Sequence, residues 1–364
     1  MMNFIINLPS PTNINYMWNF GSMLGLNLFL QILTGLFLSF HYSSNVDLAF
    51  DSIYYIMMNV NNGELIRLAH MNGASAFFIL CYIHIGRSLY YGNYMNIKVW
   101  LSGITILLML FTIAFLGYVL PWGQMSLWGA TVITKLISAL PYIGFMIVEW
   151  LWGGFSVNNA TLVRFFSLHF LLPIFLVMIV FIHLIFLHEN GSSNSVTNFM
   201  SLDKVSFHPY FTLKDMVGFI MFFFILFFFL NLFPNIFGDS ENFNMANSMV
   251  TPSLIKPEWY FLFAYAILRS IPNKLGGVLG LLMSIIILIF VPYMDHSKIK
   301  KLNYYPLLSM FFFFFLLIFY LLTICGSKPV EWPYYTLGQL MSFFYFFYFL
   351  FFGFFKFIID RFMI

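Results

Sequence analysis

Long apolar stretches without charged residues follow one another along the chain, separated by short polar segments. A helix of about 20 apolar residues spans the hydrocarbon core of a bilayer. We therefore predict an all-α integral membrane protein with eight transmembrane helices. The predicted spans are roughly Asn19–His41, Leu68–Gly86, Val99–Thr134, Phe165–His188, Met216–Gly238, Leu275–Met294, Leu302–Ser327 and Trp332–Phe355.

The third stretch is too long for one span, and Pro121-Trp122-Gly123 interrupts it. The helix should end there and leave an amphipathic connection on the membrane surface. Because eight is an even number of crossings, the start of the first predicted span and the end of the last lie on the same face of the membrane. We call this face side N and the opposite face side P. Basic residues exceed acidic ones by four on side N, and acidic residues exceed basic ones by one on side P. By the positive-inside rule, side N faces the cytoplasm or an organelle matrix.

The composition excludes several classes of protein. Charged residues make up only 8% of the chain, whereas a soluble domain carries about 25%. Soluble, coiled-coil and disordered proteins are therefore excluded, and the small net charge of +3 provides no basic groove for a nucleic acid. Cys81 and Cys325 lie far apart in the sequence, which argues against a disulfide framework or a cysteine metal cluster.

Four histidines lie inside predicted spans, where a histidine is costly and is usually functional. His70 and His84 are in the second span and His169 and His183 in the fourth, each pair 14 residues apart. On a helix, that interval advances about 21 Å and returns to within about 40° of the same face. The two spans run parallel, so His70 should lie level with His169 and His84 level with His183. Two stacked imidazole pairs favour two haem irons over hydrogen-bonding or packing roles.

Arginines accompany two of these histidines. Arg67 lies three residues before His70, and Arg87 lies three residues after His84. A haem propionate in a low-dielectric site needs such a counter-charge. Snorkelling of arginine at a helix end is an equally natural interpretation of each residue alone.

Glycines repeat the same interval in the two other spans of this half. Gly21 and Gly35 lie in the first span, and Gly103 and Gly117 in the third, again 14 residues apart. A missing side chain lets a flat macrocycle approach the helix backbone, although glycine is also common in membrane helices for packing. Matched intervals in four spans predict a four-helix bundle that holds two haems.

Candidate proton-transfer groups lie on both sides of the membrane. Glu258, in Pro257-Glu258-Trp259-Tyr260 on side P, is a candidate proton acceptor because burial raises the pKa of a carboxyl group. Tyr118 and Tyr265 would supply hydroxyls to the same cavity. Alternatively, Glu258 caps a short helix or pairs with Lys256.

On side N, His188 ends the fourth predicted span and Asp215 begins the fifth. Beside a haem, both would donate protons to a two-electron carrier that is being reduced. Alternatively, they only complement the helix macrodipole at these helix ends.

Four segments closely resemble cytochrome b, the haem-bearing core subunit of cytochrome bc complexes (respiratory complex III). They are residues 70–75 (His-Met-Asn-Gly-Ala-Ser), 117–126 (Gly-Tyr-Val-Leu-Pro-Trp-Gly-Gln-Met-Ser), 152–154 (Trp-Gly-Gly) and 257–260 (Pro-Glu-Trp-Tyr). The resemblance implies a di-haem four-helix bundle in residues 1–210 and four further helices with the Pro-Glu-Trp-Tyr loop in residues 211–364. It further implies that His70 and His169 hold a low-potential haem, and His84 and His183 a high-potential haem.

The resemblance also assigns roles to other residues. The implied quinol-oxidation pocket on side P comprises Tyr118, Gly129, Glu258 and Tyr265. The implied quinone-reduction pocket on side N comprises Ser22, His188 and Asp215. The implied haem-propionate contacts are Arg67, Arg87 and Trp100.

The activity implied by the resemblance is that of a ubiquinol–cytochrome c oxidoreductase that works by a Q-cycle. Its expected partners are a Rieske iron–sulfur subunit, a c-type cytochrome subunit, the other subunits of a dimeric complex III and membrane lipid, but no nucleic acid. The equal histidine intervals and the fusion of both halves in one chain resemble the mitochondrial or bacterial form. The expected location is the mitochondrial inner membrane, or alternatively a bacterial plasma membrane.

Three other functions fit the sequence less well. A transporter with a histidine proton relay would be colourless, unlike a haem protein. A transmembrane haem reductase fed by NADPH needs a dinucleotide-binding domain, and the chain has no Gly-x-Gly-x-x-Gly. A membrane scaffold gives no reason for the matched 14-residue intervals.

Overall fold

The computed structural model describes residues 7–195 and 203–363. The α-helices are α1 (Phe20–Ser39), α2 (Ala49–Asn59), α3 (Gly63–Tyr90), α4 (Ile97–Val119), α5 (Gln124–Lys135), α6 (Gly144–Trp152), α7 (Asn159–Asn190), α8 (Phe207–Leu232), α9 (Leu262–Ser270), α10 (Lys274–Met294), α11 (Pro306–Ser327) and α12 (Tyr334–Met363). Two short strands, β1 (Pro9–Pro11) and β2 (Lys204–Ser206), and six short 3₁₀ turns complete the regular structure of the described residues.

The eight predicted membrane helices are confirmed. Among the described residues, 8 helices are long and apolar enough to cross a bilayer, namely α1, α3, α4, α7, α8, α10, α11 and α12. A large difference from the prediction is at the end of α12, which continues past Phe355 to Met363. The prediction ended this helix before Lys356 because it is charged, but Lys356 is fully buried against charged and polar partners.

The break after the third span is also confirmed. Helix α4 ends at Val119, and Trp122 has a φ of 54° before α5 begins at Gln124. The connection after the break contains two short helices: α5 is largely buried, whereas α6 buries Val148 and exposes large apolar side chains such as Trp150. The expected location of this connection on the membrane surface stays a prediction.

The helices of the N-terminal half pack in two pairs, α1 with α3 and α4 with α7. Helix α8 packs on α1 and α3, whereas α10, α11 and α12 surround the short helix α9. One buried apolar cluster joins the two halves: Phe78 of α3 stacks on Tyr260, with 4.0 Å between ring centroids, and on Phe111 of α4 at 5.3 Å.

A small antiparallel sheet ties the start of the described chain to the segment before α8. Pro9 of β1 pairs with Ser206 of β2, and Pro11 pairs with Lys204. Nearby, the side-chain amide of Asn19 donates to the carbonyl oxygen of Lys214 at 2.7 Å. These contacts fix the beginning of α1 beside the beginning of α8.

Candidate functional site

The structure brings the predicted side-P histidines together. The rings of His70 on α3 and His169 on α7 face each other with 6.2 Å between centroids and an interplanar angle of 88°. Two metal–nitrogen bonds of about 2 Å, together with the half-widths of two imidazoles, span roughly 6 Å. The gap therefore fits one metal ion with two axial nitrogen ligands.

Hydrogen bonds fix the tautomer of three of the four histidines. The hydroxyl of Thr34 donates to the carbonyl oxygen of Leu30 at 2.8 Å, so it accepts from Nδ1 of His70 at 2.9 Å. The hydroxyl of Ser102 likewise donates to a backbone carbonyl and accepts from Nδ1 of His183 at 2.8 Å.

The third histidine has a backbone partner. Nδ1 of His169 donates to the carbonyl oxygen of Ile113 at 2.8 Å. A protonated Nδ1 leaves the lone pair of Nε2 available to a metal, as in most metal-binding histidines. His70, His169 and His183 are thus held in the form that haem iron requires.

Arg87 completes the surroundings of His84. Its Nη2 donates to Nδ1 of His84 at 3.2 Å, and its guanidinium lies 5.2 Å from the ring centre of Trp18. Nε of Arg87 is buried without a hydrogen-bond partner, and no carboxylate of the described residues forms a salt bridge with it. A buried guanidinium of this kind fits a cofactor that brings its own carboxylates, as haem does, and such a carboxylate would also release Nδ1 of His84.

Each of the four glycines faces one of the four imidazoles. A Cβ atom added at any of them would lie against the Cε1 atom of a histidine ring. The pairs are Gly21 with His84 (3.3 Å), Gly35 with His70 (3.0 Å), Gly103 with His183 (3.3 Å) and Gly117 with His169, which is the closest. The sequence predicted close approach of a macrocycle, and the structure adds that α1 and α4 leave space for the imidazole rings themselves.

On side P, the structure brings Glu258 to Tyr118, whose hydroxyl donates to the carboxylate. Both alternative roles of Glu258 are excluded. Its side chain makes no capping hydrogen bond at the 3₁₀ turn Trp259–Phe261. Lys256 forms its salt bridge with Asp239 instead, at 3.3 Å.

The surroundings of Glu258 set its protonation near neutral pH. Burial raises the pKa of Glu258 to about 7, although the hydrogen bond from Tyr118 favours the carboxylate. The negative charge of Asp239 raises this pKa further, and the positive charges of Lys256 and Arg67 lower it. Arg67 thus lies within electrostatic reach of Glu258 as well as beside His70.

The loop between α8 and α9 is fastened to the start of α5. The amide N–H of Ser126 donates to Oδ1 of Asn242 at 3.0 Å, and that of Gln124 donates to the carbonyl oxygen of Asn244 at 3.0 Å. On the other side, the indole N–H of Trp259 donates to Ser75 of α3 at 3.2 Å. The two sequence motifs on side P are therefore parts of one assembled region.

Gly129 and Tyr265 belong to the same region. Gly129 is buried in α5, yet a Cβ added there would meet no atom within 4 Å, so it borders open space. The hydroxyl of Tyr265 donates to the carbonyl oxygen of Ile255 at 3.2 Å. Burial raises the pKa of Tyr265.

On side N, Ser22 of α1 donates to Oδ1 of Asp215 of α8 at 2.7 Å. His188 lies in the last turn of α7 and is half-buried. A cavity of about 550 Å³ between α1, α3 and α8 reaches Asn19 and Gly218, one turn along their helices from Ser22 and Asp215. Trp100 is buried in α4, and its indole N–H donates to the carbonyl oxygen of Leu288 at 2.7 Å, so its contact with a propionate stays a prediction.

Several residues of the site were missed from the sequence. Thr34 and Ser102 orient His70 and His183, and Asn242 fastens the loop to α5. Thr34 and Ser102 each directly precede one of the repeated glycines, which is a signal that the sequence contains. Asn242 gives no such signal, because its partner lies 116 positions away.

Two sequence profiles match the chain. Residues 5–191 match the family described as Cytochrome b/b6/petB, and residues 245–346 match Cytochrome b(C-terminal)/b6/petD.

A solved structure has the same fold. The chain is similar to a chain of a hyperthermophilic respiratory Complex III, with 32% sequence identity and a TM-score of 0.92. The alignment covers 98% of this chain and 95% of the other. The two profiles and this structural match agree over most of the length, and the chain therefore belongs to the cytochrome b/b6 family.

Proposed function

We propose that the chain is the electron-transfer subunit of a quinol–cytochrome c reductase, oxidising ubiquinol on side P and reducing ubiquinone on side N. The observation that carries the proposal is the placement of four imidazoles on the parallel helices α3 and α7, three with Nδ1 already donating. Membership of the cytochrome b/b6 family and the similarity to a respiratory Complex III chain support it.

The residues that would hold two b-type haems are His70 with His169 and His84 with His183. Arg67 and Arg87 would bind propionates, and Arg87 has a buried donor without a partner for this purpose. When bound, haem supplies one-electron transfer, which lets electrons cross the hydrocarbon region singly.

Ubiquinol oxidation would take place between Glu258, Tyr118, Tyr265 and Gly129. A quinol releases two protons and two electrons. Glu258 would accept a proton from a quinol hydroxyl, because its pKa of about 7 makes the carboxylate available at working pH. One electron would go to a Rieske iron–sulfur subunit and onward to a c-type cytochrome, and the other toward side N.

Ubiquinone reduction would take place near Ser22, His188 and Asp215. Asp215 is held by the hydroxyl of Ser22, which orients the carboxyl group toward one position. Two electrons and two protons complete one quinol there, so protons are taken up on side N and released on side P. This is the net proton transport of a Q-cycle.

The proposal places the chain in a dimeric, multi-subunit complex within a lipid membrane. Its 8 candidate spanning helices fit a multi-pass protein of the mitochondrial inner membrane or a bacterial plasma membrane. No contact with nucleic acid is proposed.

Reduced-minus-oxidised absorption spectra of membranes containing the complex test the proposal. Wild-type membranes should show two b-type components. His183→Leu should remove one of them, whereas His41→Leu, which changes an exposed histidine at the end of α1, should keep both. Retention of both components in His183→Leu, or no b-type absorption in the wild type, would contradict the proposal.

A further inference from the structure

We propose that Lys356 is a positioning residue for the side-N haem site, acting through Tyr94 and the turn between α3 and α4. This inference rests on the proposed function, since it concerns the haem between His84 and His183. Lys356 has no exposed surface, although it lies in the last membrane helix. A charged residue in such a place is costly unless it is paired and fully hydrogen-bonded.

All three hydrogens of the Lys356 ammonium group are used. Nζ donates to Oδ2 of Asp295 at 2.7 Å, to the hydroxyl of Tyr94 at 3.1 Å and to the carbonyl oxygen of Lys300 at 2.8 Å. These partners lie in two other segments of the chain, the α3–α4 turn and the α10–α11 loop. Lys356 therefore joins three segments at one point.

Asp295 is also buried, and its carboxylate oxygens also have hydrogen-bond partners. It accepts from the hydroxyl of Tyr94 at 2.5 Å and from the amide and hydroxyl of Ser297 at 2.9 and 2.5 Å. Burial alone would raise the pKa of Asp295, but the Lys356 ammonium and these hydrogen bonds hold it below its usual range. The pair is therefore ionised, with a geometry fixed by directional bonds.

Stability alone does not explain a buried ion pair, because apolar residues of similar volume are often as stable or more so. A buried pair with directional bonds does select one arrangement of the segments that it joins. Here the backbones also approach closely: a Cβ added at Gly353 of α12 would collide with the carbonyl oxygen of Met294.

Tyr94 connects this cluster to the haem site. It is fully buried in the 3₁₀ turn Asn93–Met95, which joins α3 to α4. Its ring lies 6.1 Å from that of Trp100, whose indole N–H is in turn held by α10. Gly92, with a φ of +69°, packs the same turn against the backbone of Lys300.

The helices on either side of this turn carry the side-N site. The last turns of α3 hold His84 and Arg87, and the first turns of α4 hold Ser102 and Gly103, both of which contact His183. A displacement of the turn would move the end of α3 relative to the beginning of α4, and with them the residues of the side-N site. The side-P histidines lie about 20 Å away along the helices, so their haem should not respond.

The chain offers a matched control. Tyr305 is a buried tyrosine at the end of the α10–α11 loop, and its hydroxyl donates to Asp360 of α12. It binds α12 through Asp360, whereas Tyr94 binds α12 by accepting from Lys356, and it does not lie on the α3–α4 turn. Tyr94→Phe and Tyr305→Phe each remove a buried phenol hydroxyl that donates to a carboxylate, that of Asp295 and that of Asp360.

The experiment is a potentiometric titration of both b-type components in the assembled complex for Tyr94→Phe, Tyr305→Phe, Lys356→Met and Lys356→Arg. Tyr94→Phe and Lys356→Met should shift the reduction equilibrium of the side-N haem about tenfold, or about 59 mV for one electron. The potential of the side-P component should not change in these variants, and Tyr305→Phe should leave both potentials at their wild-type values. Lys356→Arg should bring the side-N potential part of the way back to its wild-type value.

If the complex with Lys356→Met does not assemble, Tyr94→Phe tests the positioning role. Unchanged potentials in Tyr94→Phe, equal shifts of both components, or the same shift in Tyr305→Phe would overturn the positioning role. Failure of the proposed function has a different signature, since His183→Leu would then fail to remove one b-type component.

Discussion

At the scale of single residues, the decisive chemistry lies in the small side chains beside the histidines. Each hydroxyl of Thr34 and Ser102 has one hydrogen, which is used on its own helix backbone. Each must therefore accept from the imidazole that it faces. A residue with no charge and little volume thus sets the protonation pattern of a proposed metal ligand.

Ser102→Ala should weaken retention of the side-N haem by about tenfold, since losing a partner of a metal-binding histidine typically costs 10–100-fold in affinity. Haem occupancy after detergent washing, read from the b-type bands, measures this. Thr105→Ala is the matched control, because the Thr105 hydroxyl bonds only to the carbonyl of Leu101 and is exposed. Equal haem loss in both variants would contradict the role of Ser102.

Glu258→Gln should slow quinol oxidation by about 10²-fold, the size of a typical general-base contribution, with both haem spectra intact. Because burial raises the pKa of Glu258 to about 7, the carboxylate that accepts a proton predominates only above that pH. The wild-type rate should therefore rise through about pH 7, and this rise should be absent in Glu258→Gln.

Glu241→Gln provides the control for Glu258→Gln. Glu241 lies in the same loop, on the 3₁₀ turn Ser240–Phe243, and is not part of the proposed pocket. Its turnover and pH profile should match those of the wild type. A Glu258→Gln enzyme with unchanged turnover at saturating quinol would refute the assignment.

At the scale of elements, the proposed quinol pocket on side P depends on how a long loop is held between helices. The loop from α8 to α9 is bound to α5 by Asn242 and to α3 by Trp259. Both anchors lie in short 3₁₀ turns rather than in membrane helices, so contacts of this kind give the loop its position. The position of Glu258 is thus decided by contacts distant in sequence.

Asn242→Ala should leave the amide of Ser126 without its partner, at a cost of about 1–3 kcal/mol to the local structure. We expect a raised KM for quinol and faster proteolysis within residues 233–258. Asn231→Ala, which removes an exposed amide bonded only within α8, should change neither. Proteolysis at the wild-type rate in Asn242→Ala would show that this anchor is not needed.

At the scale of the whole molecule, the fold places these ionisable residues at the two opposite ends of the apolar membrane helices. Glu258 and its loop lie between α8 and α9, whereas Asp215 and the Lys356 cluster lie at the other ends of their helices. Eight crossings and the excess of basic residues on side N predict which end faces the cytoplasm or matrix.

Cysteine labelling tests this orientation. Ser248→Cys on side P and His296→Cys on side N are both exposed, whereas the native Cys81 and Cys325 are buried and should not react. In right-side-out vesicles, a membrane-impermeant maleimide should label Ser248→Cys at once and His296→Cys only after permeabilisation. The reverse pattern would invert the topology.

Much of this protein was determined by local properties of the sequence. The eight spans follow from hydrophobicity, because water-free lipid forces the backbone into helices. The level of His70 with His169, whose rings the structure brings together, follows from the helical repeat and from the parallel direction of α3 and α7. These features depend only on neighbours along the chain, so a sequence contains them.

Tertiary structure alone decided the rest. No local rule pairs Asn242 with Ser126, Ser22 with Asp215, or Lys356 with Tyr94, because their separations of 116, 193 and 262 positions are closed only by packing. The sequence placed the end of α12 before Lys356 because an isolated charge is unstable in lipid. The fold supplies Asp295 as its partner, and the helix continues because burial then brings hydrogen bonds with it.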